Sequence, residues 1–194
     1  MANRTDARSS NHFFELAEDL GRRYRTFRLI PKETSWFMKA IYYGLGMFLW
    51  CPTFMTDYTT TIVTWIYMPK NLIGTSAGYE VLRHEAVHVS DCIRTGVLPF
   101  VLSYILLLPS VLTLRAYWEL RGYRETMRVE CERTGDISDE TMTWIAKRFT
   151  GSDYLWMLPF PKIVRRLLER NRSRILAEGG PHDGHHDPPP SPIP

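Results

Sequence analysis

The sequence predicts an α+β fold that is mainly helical, with a short β-hairpin or single strand beside a central helix. Three observations lead there. Apolar residues recur at helical spacing along several long stretches. One stretch, Phe54 to Pro69 (FMTDYTTTIVTWIYMP), is instead rich in Thr, Val, Ile, Tyr and Trp and partly alternates. The final residues, GGPHDGHHDPPPSPIP, are low in complexity and cannot build a core, so the core must come from the rest of a 194-residue chain that is 44% hydrophobic.

Taken in order, Ser10 and Asn11 followed by HFFELAEDLGRRYRTF read as a capped helix ending near Gly21, with Phe13, Phe14, Leu16 and Leu20 toward one side. Trp36 to Trp50 is aromatic-rich, with Lys39, Gly44 and Gly46 inside it, and reads as a packed or interfacial segment. The β-rich stretch from Thr53 forms one strand or a hairpin. PKNLIGTSAG is a turn, and Thr75 or Ser76 caps a helix from about Tyr79 to Arg94 that Gly96 and Pro99 stop. A mostly apolar connection leads to a second long helix, Leu112 to Arg133, with Gly122 as its weak point. Asp136, Ser138 and Asp139 open a third through Phe149, and Lys162 to Glu178 is a basic amphipathic helix. The organisation expected is residues 1–52, helical with an apolar segment; 53–150, a core; 151–178, a basic helix; and 179–194, a flexible tail.

Composition excludes several classes. Lys and Arg total 24 against 21 Asp and Glu, and a net charge of +3 gives no argument for specific nucleic-acid binding. Cys51, Cys92 and Cys131 are odd in number and widely spaced, which argues against a disulfide framework or a cysteine zinc site and for a reducing, intracellular compartment. Met1 to Asn11 has no apolar core, so no secretory signal peptide is expected. Val97 to Leu114 is uncharged and about long enough to span a bilayer, yet Pro99, Pro109, Ser103, Tyr104 and Ser110 dilute it. We read it as buried, with membrane association through it or through Trp36 to Trp50 as the alternative.

Chemistry concentrates at Arg83 to His88, RHEAVH. Residues four apart share a helix face, so His84 and His88 can turn both imidazoles toward one metal, and Glu85 lies where a carboxylate reaches a metal-bound water without being a ligand. The flanks Val81, Leu82, Ala86, Val87 and Val89 are apolar, which makes the helix central. A pair of histidines on a helix is more often surface or satisfied core, so a third ligand decides the matter. Asp91 and Cys92 lie roughly 10 to 12 Å beyond His84 along a straight helix and cannot easily share its metal. Glu119, in the next long helix within LRAYWE, is the candidate.

HEAVH on one helix and a glutamate on the following helix in RAYWELRGY resemble the gluzincin branch of zinc metallopeptidases, particularly its minimal members. The resemblance covers about Thr53 to Met127 and implies a zincin-like core. It also implies zinc held by His84, His88 and Glu119, Glu85 as general base, and a peptide or protein substrate. Such a centre brings the pKa of a bound water to about 7, and Glu85 takes that proton and returns it to the leaving amine. Many members place an aspartate four residues after the glutamate to orient a histidine; here that position is Tyr123, with Asp91 as a substitute. Tyr123 and Arg115, one turn either side of Glu119, are alternative oxyanion donors, against core packing for the first and an ion pair for the second.

In that family an edge strand pairs with the extended peptide, and Ile62 to Met68 is the stretch assigned to it, a plain core strand being the other reading. His182, His185 and His186 lie in the flexible tail, and Glu125 and Glu130 read as solvated helix charges. A second function class stays open: a component of a larger assembly, such as a virus particle, that keeps a zincin-like zinc fold and contacts protein partners. Retention of Glu85 favours an enzyme, because a structural zinc site needs no base.

Overall fold

The structure, a computed structural model, describes residues 3–49, 53–105, 114–151 and 156–178. Among them the chain is mainly helical with one small three-stranded sheet. It divides into two compact units, Met1–Val89 and Ser90–Pro194.

The first unit opens with α1, Asn3–Arg23. It begins well before the expected cap at Ser10 and Asn11, because no proline or glycine between Asn3 and Ser10 interrupts a helix. Phe13 and Leu20 are buried on its inner face with Leu16 and Ala17 beside them, whereas Phe14 is more than half exposed. Three strands follow: β1 (Arg28–Pro31), β2 (Thr60–Ile62) and β3 (Trp65–Met68). They lie in the order β1-β3-β2, with β1 parallel and β2 antiparallel to β3. The β-rich stretch is therefore a hairpin, and β1 was not foreseen.

Val63 and Thr64 make the hairpin turn, with Val63 at φ 57°, a conformation that is costly for a β-branched residue. Thr64 holds it there. Its buried hydroxyl donates to Thr26 O at 3.1 Å, and Arg28 N donates to Thr64 O at 3.3 Å. Between β1 and β2 run a 3₁₀ turn (Lys32–Thr34), α2 (Trp36–Leu49) and α3 (Phe54–Asp57). Ser35 Oγ caps α2 by accepting from Met38 N at 3.2 Å. Met38 is buried, while Trp36 and Tyr43 are about three-quarters exposed.

Thr75 begins α4 (Ser76–Thr95), its hydroxyl accepting from Gly78 N at 3.0 Å. Gly78 is required there, because a Cβ would stand 1.8 Å from Leu72 O. Leu82 and Val89 of α4 join Phe13, Leu20, Phe27, Ile66 and Met68 in the core of this unit.

In the second unit Gly96, at φ 92°, separates α4 from α5 (Val97–Ile105). The apolar connection thus starts as a helix with Pro99 in its first turn, where proline is tolerated. Residues 106–113 of the apolar run, the residue Cys51, and the tail histidines His182, His185 and His186 lie outside the described residues. No described helix is long and apolar enough to cross a membrane. Three further helices are α6 (Leu114–Thr134), α7 (Asp139–Thr150) and α8 (Pro161–Ala177). Ser138 caps α7 by accepting from Thr141 N at 3.1 Å, and Pro161 starts α8. Their core gathers Tyr123, Met127, Ile137, Met142, Ile145, Phe149, Val164 and Leu168.

Candidate metal centre

The inner face of α4 is set by Leu82 and Val89, both fully buried, and the helical repeat then fixes where the residues between them point. His84 and His88, one turn apart, bring their Nε2 atoms to 3.2 Å, with ring centroids 5.0 Å apart and planes at 68°. Two nitrogens bound to one tetrahedral zinc at 2.0–2.1 Å stand about 3.4 Å apart, so the pair already has the spacing a single metal asks of it. Without a metal, one imidazole must donate its proton to the other.

Glu119 lies on α6 and is 5% exposed. Ligand atoms of His84, His88 and Glu119 all fall within 4.8 Å of one another. This fits zinc on chemistry as well as distance. The set is two imidazoles and a carboxylate, His88 and Glu119 are both buried, and a buried carboxylate is costly unless a cation or several donors meet it.

Glu85 follows His84 and so turns about 100° round the helix from it. Its Oε2 accepts a hydrogen bond of 2.6 Å from Thr61 Oγ1 on β2. The carboxylate is therefore positioned by the sheet and is not a member of the three-residue group. Thr61 is the site residue that reading the sequence missed. Its only signal was the run Thr59-Thr60-Thr61, and nothing in that run says which hydroxyl meets a carboxylate 24 residues later.

Asp91, 2% exposed, accepts through Oδ2 from Arg121 Nε at 2.8 Å. Burial lowers the Arg121 pKa, but the hydrogen bond and charge of Asp91, with Tyr117, outweigh it and leave the guanidinium above its ordinary value. Tyr123 is 4% exposed, and its ring lies edge-on to Trp144 at 5.7 Å and tilted against Phe149 at 5.6 Å within the core of the second unit. Arg115 is half-buried on α6.

The strand assignment needs correction. Ile62 to Met68 was expected to offer a free edge to a peptide, but β3 is the middle strand and both its edges are taken, by β1 and β2. Among the described residues the outer strand on that side is β2, which carries Thr61. Comparison with protein-family models, with curated proteins and with solved structures finds no match. The functional reading therefore rests on these residues.

Proposed function

We propose that the chain is a zinc-dependent peptidase built on a zincin-like core, with zinc held by His84, His88 and Glu119 and with Glu85 as general base. One observation carries the reading: three metal-competent side chains converge to within 4.8 Å, while the motif's remaining carboxylate stands beside them without joining them. Zinc would supply Lewis acidity, making a bound water acidic and polarising the scissile carbonyl. Glu85 takes the proton of the attacking water and delivers it to the leaving amine. Thr61 fixes one carboxylate oxygen and leaves Oε1 for the proton. The outer edge of β2 is where an extended peptide would add as a strand. Tyr123→Phe tests the oxyanion donor: it keeps the ring in its core position, so a loss of cleavage without a loss of stability assigns the role to the hydroxyl.

The deciding experiment measures cleavage of unstructured peptides at equal zinc content. Glu85→Gln is nearly isosteric and should keep fold and metal while cleavage falls about 10²-fold or more. His88→Ala should lose metal and stability together. Equal activity in wild type and Glu85→Gln would reject the mechanism. Zinc bound with no cleavage in either would move the reading to a structural component of an assembly.

A further inference from the structure

Helix α8 carries six basic residues, and the structure sorts them into two sets. Arg165 and Arg172 have structural work: Arg165 reaches Asp139 at 3.0 Å and Glu169 at 3.1 Å, and Arg172 reaches Asp136 at 3.1 Å and Asp139 at 3.3 Å. Lys162, Arg166, Arg170 and Arg174 are all exposed and pair with no carboxylate among the described residues. These four lie at successive intervals of four residues. At 100° and 1.5 Å per residue they form a stripe about 18 Å long that drifts only about 40° per step. Val164, Leu168, Asn171 and Ile175 bury the opposite face, so the stripe looks outward.

Apolar side chains accompany it. Ile163, 48% exposed, falls in the same angular sector as Arg170 and Arg174, and Phe160 and Trp156, each about half exposed, immediately precede the helix. We propose that this face of α8 docks on an anionic lipid surface, with the four cations on the headgroups and Ile163, Phe160 and Trp156 entering the interface. Aligned cations beside exposed aromatic and aliphatic residues match the two parts of such a surface, its negative charge and its apolar boundary. A nucleic acid would use the cations alone or stack on the aromatic rings, and it would have no use for Ile163. The inference is independent of the metal centre.

The test is cosedimentation of the full chain with vesicles of phosphatidylcholine alone or mixed with phosphatidylserine, beside binding to a single-stranded and a duplex oligonucleotide. Partition onto the mixed vesicles, weakened by salt and absent on phosphatidylcholine alone, is expected. Arg166→Gln with Arg170→Gln should lower it about 30-fold, since each surface cation contributes about a factor of five. Ile163→Ser should lower vesicle partition about tenfold and leave oligonucleotide binding alone. Circular dichroism and melting should be unchanged, as all three side chains are exposed. Failure to bind mixed vesicles, equal binding to neutral vesicles, or oligonucleotide binding that exceeds vesicle binding and ignores Ile163→Ser would each overturn the proposal.

Discussion

The two units place their cations differently. In the first, Lys32 is fully buried and its ammonium donates to Phe54 O and Tyr58 O, each at 2.7 Å, and to Thr60 Oγ1 at 3.0 Å, while lying 3.5 Å over the Phe54 ring. In the second, Asp91 and Glu119 are buried, but the cations Arg124, Arg128, Arg165 and Arg172 stay nearer the surface, where they meet carboxylates beside an apolar core. Burying an ammonium is expensive, and surface pairs are worth little. The difference places positional precision in the first unit. Lys32 ties down the segment that becomes β2, β2 carries Thr61, and Thr61 holds Glu85.

The comparison is broken most directly at Lys32. Lys32→Met keeps an unbranched apolar stem but takes the ammonium from the part-buried carbonyls of Phe54 and Tyr58, and should destabilise the chain by about 2 to 4 kcal/mol in denaturant unfolding. A cost below 1 kcal/mol would mean that water replaces the ammonium. Thr61→Val keeps the β-branched shape and removes only the bond to Glu85; we expect about 1 to 2 kcal/mol by the same measurement, since the acceptor is a carboxylate. In the second unit, Ser138→Ala removes the α7 cap, a bond between one hydroxyl and one backbone N–H, and should cost about 1 kcal/mol.

These contrasts also explain what the sequence made legible. The helix bearing His84, Glu85 and His88 could be found because its signals are local: Thr75 as cap, apolar flanks, a four-residue histidine spacing and Gly96 at its end. The mainly helical fold with its small sheet followed from periodicity. Strand β1 escaped because four residues ending in Pro31 have no period of their own, and they become a strand only when β3 offers an edge from more than thirty residues away. Lys32 escaped because lysine is almost never fully buried, and its acceptors come from a segment over twenty residues later. Thr61 shares that difficulty: its residue type was visible, but its role depends on which element faces it, and a single sequence does not encode that in spacing. Glu119 could be named as a candidate from its place on the next long helix, and its ligand atom lies within 4.8 Å of those of His84 and His88.

The smallest expected effect lies at the end of α8. Glu178 accepts from Arg124 and Arg128, each at 2.8 Å, joining α8 to α6. The hydrogen bond from Arg128 comes first, and with the charges of both arginines it holds the Glu178 carboxyl below its ordinary value of 4.5 against a smaller opposing effect of burial. A carboxylate with a depressed folded-state pKa stabilises the fold fully above its unfolded value, and that contribution disappears as pH falls through the folded value. The Glu178 contribution should therefore be constant from neutral pH to about pH 5 and vanish below the ordinary glutamate range. Because the Glu178 side chain is half exposed, solvent screening keeps the contribution to about 0.5 kcal/mol. Glu178→Gln should lower stability by that amount at neutral pH, by less in high salt, and by nothing in acid. A Glu178→Gln effect above 2 kcal/mol, or one that persists in acid, would show that the second unit also depends on individual polar contacts and would erase the contrast with Lys32.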